Sequence, residues 1–427
     1  MTPAEIEAAL QWTTNVNLEI YYFWTVAVMV LIHVGFLMYE MGASRVKHSL
    51  ASGTKNILAF AIVIPTFYMF GWWIYLAMYN GFIPDFEAGA GGVPWGDAMG
   101  PNLQDNATGV FWGAFTLFAC TTASIMSGSV IERIRLAAFI VLAVVLGSVV
   151  WNLSAAWGWH PDGWMVTKLG YHDVGASGVV HMIAAFFALG ILINLGPRLG
   201  KYNKDGSANR IQGHSLPMTM AGLLLIVTGF FGFFAACLLY GGTAQWTNIY
   251  GGATTLSAFC FNILMGIAGG ILGGYFKTRD PFWMMSGALC GLISIAAGMD
   301  LWDPSLAFVV AFAGGIIGPI AANWLEKLKI DDAVGAVSVH GVCGMWGLIA
   351  VGLFMGGYPT HADGVPPISL GGQFLGMIVM ALLGFIPGYV LSLIFKVCGV
   401  LRSSDGVQTA GMDVEIVNDA YPEQLKS

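Results

Sequence analysis

The sequence is poor in charge. Only 10% of its 427 residues are Asp, Glu, Lys or Arg, where water-soluble domains carry about 25%. Such a chain cannot cover a soluble surface, so water-soluble architectures drop out. The basic residues form no run or face suited to nucleic acid. Cysteine is also scarce: Cys120, Cys237, Cys260, Cys290, Cys343 and Cys398 all lie in or beside apolar stretches. None is paired in an aqueous loop, which argues against a disulfide framework and for small buried hydrophobes. A Gly-rich nucleotide loop, an HExxH motif and a nucleophile–base pair are missing, so neither an enzyme nor a cofactor is expected. The start, MTPAEIEAALQWTTNVNLEI, is acidic and has no basic n-region or cleavage pattern. It reads as a short amphipathic helix before the first span, not as a cleaved signal.

Apolar residues and glycine dominate instead. Hydrophobic residues make up 57% of the chain, and Gly occurs 58 times, which suits close helix–helix contact in lipid. At about 20 apolar residues per span, the chain reads as an all-α polytopic membrane protein with eleven transmembrane helices. Their limits are near 18–41, 56–80, 108–131, 136–159, 177–197, 215–240, 256–276, 281–300, 305–325, 335–357 and 370–398. Spans eight and nine are separated only by a short turn near Asp303-Pro304. All of the 17 basic residues except Lys168 fall in loops after odd-numbered spans or in the tail. The positive-inside rule then puts the N-terminus outside and the C-terminus in the cytoplasm. The domain plan is an external segment 1–17, a membrane domain 18–400 and a cytoplasmic tail 401–427. The external loop 81–104 is Gly/Pro-rich and carries Asp85, Glu87 and Asp97; it reads as a solvated loop, or as an acidic face that concentrates cations.

Two stretches look like copies. Asp173-Val-Gly-Ala-Ser-Gly-Val-Val-His181 and Asp332-Ala-Val-Gly-Ala-Val-Ser-Val-His340 each place an Asp eight residues before a His, and the two pairs are offset by the same interval. Each pair opens the fifth span of a five-span half, about 18–197 and 215–357, with the helix 370–398 outside the repeat. A repeat with an odd number of spans inserts in opposite orientations, giving an inverted 5+5 repeat with an axis in the membrane plane. That axis brings His181 and His340 together near mid-membrane. An imidazole buried there is costly and usually functional. Facing imidazoles share a proton and hydrogen-bond a small polar solute. The competing readings are a His bonded within the bundle and a metal site, which two His without a third ligand leave incomplete. Asp173 and Asp332 start their helices, so capping is the plain reading for both; Asp173, on the external side, is also placed to stabilise a cation. Trp159, in Ala156-Trp157-Gly158-Trp159-His160, reads as interfacial belt or as a cation–π face.

These motifs resemble the ammonium transporter family (Amt/Mep/Rh), and the likeness covers nearly the whole chain. Gly35-Phe36, Glu40-Met41-Gly42, Arg45 and Lys47 are similar to the family's G-F-x-x-x-E-x-G-x-x-R-x-K. Phe118-Ala119-Cys120 and Ile131-Glu132-Arg133-Ile134-Arg135 resemble F-A-C…E-R-I-R, and His214-Ser215-Leu216-Pro217 resembles H-N-L-P. Gly232-Phe233 resembles the G-F of span six, and Asp332 to Gly344 is the closest match. The resemblance implies a homotrimer in the cytoplasmic membrane with one pore through each subunit. His181 and His340 would be the twin pore histidines, and Phe118 and Phe233 the stacked pair that blocks the outer pore. Trp159 would be the cation–π residue of the outer site, and Asp173 the acidic residue beneath it. Cys237 stands where a hydroxyl commonly helps bind ammonium, and Ala114 where an aromatic is common. Trp159 favours the Amt branch over Rh. The tail pattern G-x-D-x-x-x-H-G-E-x-A-Y reads here as Gly411-Met-Asp413…Val417-Asn418-Asp419-Ala420-Tyr421, without its His and Gly; it bears on docking of a PII-type regulator at the cytoplasmic side. The expected function is ammonium transport: the ion is recruited outside, deprotonated and passed as ammonia through a hydrophobic pore. The alternatives are an ammonium sensor with little flux that acts through a partner, and a neutral-gas or solute channel.

Overall fold

The computed structural model describes all residues except 97, 98, 100–105, 241–245, 361–363 and 418–427. Asp97 of the acidic loop and Asn418 to Tyr421 of the tail pattern lie outside the described residues. The described chain is overwhelmingly helical, as it must be in lipid, where backbone groups have no water to bond. The spans are α1 (Pro3–Ala43), α2 (Val46–Ala77), α3 (Asn106–Ser129), α4 (Leu136–Gly158), α5 (Ser177–Leu195), α6 (Leu216–Ala235), α7 (Leu256–Thr278), α8 (Pro281–Ala296), α9 (Pro304–Lys327), α10 (Val337–Phe354) and α11 (Leu370–Val397). Among the described residues, nine of these are long and apolar enough to cross a membrane. The other two are α3, with 24 residues, and α8, with 16. This pattern is compatible with the expected eleven.

Local chemistry sets the helix starts. Ser215, Asp280 and Asp303 each accept a backbone N–H from the first turn, and a proline follows at the first or second helical position. Asp303-Pro304 therefore separates α8 from α9, as its sequence suggests. The N-terminus departs from the sequence reading. No separate amphipathic helix precedes the first span, because α1 runs unbroken for 41 residues from a capping box at Thr2. Between Pro3 and Gly35 it contains no Gly or Pro to break it. At 1.5 Å per residue it is roughly 60 Å long, about twice the bilayer core, so its first turns project beyond the membrane.

The two halves, α1–α5 and α6–α10, are joined most closely along α1 and α6. A Cβ on Gly35 would lie 2.6 Å from the Gly222 carbonyl oxygen, so only glycine allows the two backbones to approach. Both α5 and α10 open with a wide π-helical turn, Ser177–Met182 and Val337–Val342. The segment before α5 pairs with the end of α8, through Val174 N–H to Ala297 (3.0 Å) and Gly175 N–H to Ala296 (2.8 Å). The segment before α10 is held from the end of α3, where Arg133 donates to the Asp331 carbonyl at 2.6 Å. This correspondence is that of the inverted repeat. The extra helix α11 lies against α5, and Asn194 donates to the Tyr389 carbonyl at 2.9 Å.

Two faces result. One carries Trp159, the segment 160–176 and a three-stranded antiparallel sheet, β1 (Leu238–Tyr240), β2 (Trp246–Asn248) and β3 (Ala253–Thr254). The opposite face carries Asp332 and most of the basic residues. There Arg198 pairs with Asp331 at 2.9 Å, and Arg402 donates to the Leu195 and Pro197 carbonyls at the end of α5. Cations at helix C-termini oppose the macrodipole. The described part of the tail folds onto this face. Asp413 caps the start of α2, accepting from Leu50 N–H (3.1 Å) and Ala51 N–H (2.8 Å).

Candidate functional site

The repeat brings the two histidines into contact. His181 Nδ1 and His340 Nδ1 are 3.1 Å apart, with ring centroids at 5.2 Å. Both rings are buried. The π-helical turns carry them, and such turns widen a helix where function needs room. A bond between two like ring nitrogens requires one donor and one acceptor. One histidine therefore holds its proton on Nδ1 and the other, when neutral, on Nε2. The two Nε2 atoms then offer one lone pair and one N–H. His181 Nε2 is buried and has no hydrogen-bond partner, a state that costs free energy unless a polar solute fills it.

The aromatic pair sits directly above. Phe118 and Phe233 have centroids 4.6 Å apart at 87°, and His181 stacks on Phe233 at 5.6 Å and 21°. The expected stacking of Phe118 on Phe233 is thus corrected: the rings meet edge to face, the arrangement that ring quadrupoles favour. Both are fully buried.

Trp159 is not part of an interfacial belt. It is fully buried, lies 4.9 Å from Phe118, and donates through Nε1 to the Asp173 carbonyl at 2.7 Å. Phe115 (5.8 Å) and Trp151 (6.4 Å) complete an aromatic surround. Sequence reasoning missed both. Ala114 is buried, and Phe115 beside it supplies aromatic surface. The signal lay in the spacing Phe111, Phe115, Phe118, one helical face in α3.

Asp173 caps α5. Its Oδ2 accepts from Gly178 N–H and Val179 N–H, both at 2.8 Å, and from the Tyr171 hydroxyl at 3.1 Å. Its Oδ1 is buried without a partner. Burial raises the carboxyl above its ordinary range, opposed by those N–H groups; a cation alongside would favour the ionised form. The geometry thus supplies the capping role directly and leaves one oxygen for a cation. Asp332 does the same for α10, accepting from Val337 N–H at 2.6 Å. It lines a cavity of about 510 Å³ that opens on the basic face. Cys237 is buried, and its thiol donates to the Phe233 carbonyl at 3.5 Å. Among the described residues no group of three or more His, Cys, Asp or Glu could hold a metal ion.

The family model described as Ammonium Transporter Family matches residues 20–421. Ammonium transporter Amt2 of Archaeoglobus fulgidus is 30% identical over 431 aligned positions, covering 96% of this chain and 89% of that protein. A solved structure named Sensor Amt Protein is similar at TM-score 0.82 and 27% identity, covering 96% of this chain and all of the other. The crystal structure of Candida albicans Mep2, at 23% identity and TM-score 0.73, covers 91% of this chain and 86% of its own and shares the fold.

Proposed function

The chain belongs to the ammonium transporter family, and from that premise we propose that it moves ammonium across a cytoplasmic membrane by deprotonating the ion at an outer site and passing ammonia along the twin histidines. The orientation puts the Trp159 face outside and the basic face in the cytoplasm, as the positive-inside rule favours. Ammonium is held by the Trp159 face and the free oxygen of Asp173. Beyond Phe118 and Phe233 the route is apolar, and a bare cation is excluded there. Ammonium alone among ions of its size sheds its charge by losing a proton, so the route rejects potassium by chemistry as well as size. Ammonia then meets one N–H and one lone pair on the histidine Nε2 atoms.

The observation that carries this reading is the 3.1 Å contact between His181 and His340 beneath an edge-to-face phenylalanine gate. A homotrimer, with one such route in each subunit, and a PII-type regulator docking at the cytoplasmic side belong to the same proposal. The test is ammonium-evoked current from proteoliposomes on a solid-supported membrane. A saturable current is expected in the wild type and none in the His181→Ala/His340→Ala double variant. An undiminished current in the double variant would sink the histidine route.

A second reading is a sensor with little flux. It is favoured by the likeness, over the full length of that chain, to the structure named Sensor Amt Protein. Tight ammonium binding without measurable uptake of a labelled ammonium analogue would select it.

A further inference from the structure

Next to Asp173 lies a buried acid–base pair that the transport route does not use. His172 is wholly buried, and its Nε2 meets Asp300 Oδ1 at 3.0 Å. Asp300 Oδ2 accepts from Asn248 at 2.8 Å. With His172 Nε2–H as the donor, both carboxyl oxygens act as acceptors. With its Nε2 proton on Asp300, His172 keeps a lone pair on Nδ1, which is buried and has no hydrogen-bond partner. Nδ1 is the one ring position that can take a proton without breaking an existing bond.

The pair is tied to the outer site through backbone. Gln373 of α11 clamps His172 with two bonds, accepting its N–H at 3.0 Å and donating to its carbonyl at 2.6 Å. Asn248 accepts from Tyr250 N–H at 2.9 Å. The Tyr250 hydroxyl bridges the two ends of the Trp159 site, accepting from Asp173 N–H at 3.1 Å and donating to the Gly158 carbonyl at 2.7 Å. The titratable groups around His172 are Asp300 from the turn after α8, Tyr250 from the turn between β2 and β3, and Tyr171 and Asp173 on its own segment, with Cys237 from the end of α6 acting on Asp300 and Asp173. The corresponding position in the second half is Asp331, whose partner Arg198 keeps its charge at all ordinary pH values. On the Trp159 face a histidine takes that place, and an imidazole, unlike a guanidinium, exists in both a neutral and a charged form.

We propose that His172 is a positioning residue whose protonation tunes the outer site, with Asp300 acting as a second carboxylate beneath the recruited cation while His172 is neutral and cancelled by it when protonated. The inference rests on the outer site proposed above. An imidazole changes charge between about pH 5 and pH 8. Cancelling a unit negative charge near the cation, in a partly screened interior, shifts its affinity about tenfold.

The test is calorimetric binding of methylammonium to the purified protein, alongside the evoked current, across about pH 5 to pH 8. In the wild type, affinity is expected to fall about tenfold towards the acid end, with maximal current little changed. His172→Gln, which keeps a donor to Asp300 and cannot charge, should bind at acid pH as the wild type does at alkaline pH. Asp300→Asn should bind weakly at every pH. A His172→Gln variant that keeps the wild-type pH slope, or that loses maximal current at unchanged affinity, would overturn the proposal. A wild type with no binding at any pH overturns both the inference and the outer site beneath it. Binding with the expected pH slope but without current supports the inference and sinks only transport.

Discussion

In the proposed outer site Trp159 would act through two different parts of one ring. Its face would meet the cation, and its Nε1 holds the Asp173 carbonyl at 2.7 Å. The two parts separate by substitution. Trp159→Leu removes both and is expected to raise the half-saturating ammonium concentration about tenfold, the scale of a desolvated cation–π contact. Trp159→Phe keeps an aromatic face and loses only the N–H, so a rise of about threefold is expected. Competition by ammonium against labelled methylammonium uptake measures both, and equal losses would show that the face contributes nothing. The histidine pair is constrained in the same way by geometry. At 3.1 Å the two Nδ1 atoms hold one proton between them, and a second proton there would set two N–H groups against each other.

At the scale of elements, the starts of α5 and α10 decide where the histidines lie. Each is capped by its Asp, and each preceding segment is braced by a buried hydrogen-bonded pair. On the basic face that pair is Arg198–Asp331, with side chains 4% and 1% exposed. Burial alone would raise the Asp331 carboxyl. The charge of Arg133 and the hydrogen bonds from Arg198 overturn this and hold it well below the usual carboxylate range. A carboxyl whose folded pKa lies below its unfolded value stabilises the fold at every pH above the unfolded value, and that stabilisation fades as pH falls through the folded one. Asp331→Asn is therefore expected to cost about 3 kcal/mol near neutral pH, because two buried arginines lose their partner. In thermal unfolding in detergent, the gap in Tm to the wild type should stay constant from about pH 8 to pH 5 and shrink below about pH 4. A gap that widens with acid would refute the assignment. The α1–α6 crossing makes a second element-scale prediction. Gly222→Val puts side-chain atoms into the Gly35 backbone, and overpacking of this kind costs about 3 kcal/mol or more, read as lost folded protein on size exclusion.

For the whole molecule, the proposed trimer with a route inside each subunit has a quantitative consequence. Mixed trimers of wild-type and His181→Ala/His340→Ala subunits should conduct in proportion to their wild-type content. A single route shared between subunits would instead give a steep loss with the first defective copy. The same internal route makes the outward surface free to be apolar, and α7 and α9 present Phe261, Val309 and Trp324, each about 60% exposed, to lipid or to a neighbouring subunit.

Much of this was legible in the chain. Low charge, apolar runs of membrane length and the sorting of Lys and Arg follow from transfer energies that act residue by residue, so they survive in one dimension. The repeated Asp-x7-His pair exposed the inverted repeat, because duplicated helices keep their spacing, and it named His181 and His340. The sequence did not contain the edge-to-face meeting of Phe118 and Phe233, the burial of Trp159 among Phe115 and Trp151, or the unbroken α1. These depend on how rings from α3, α4 and α6 share one small space, and packing of that kind is settled by shape between distant segments. The partnership of His172 with Asp300, 128 positions apart, has the same origin: nothing local in either residue selects the other, and only the folding of α8 against the segment before α5 brings them together.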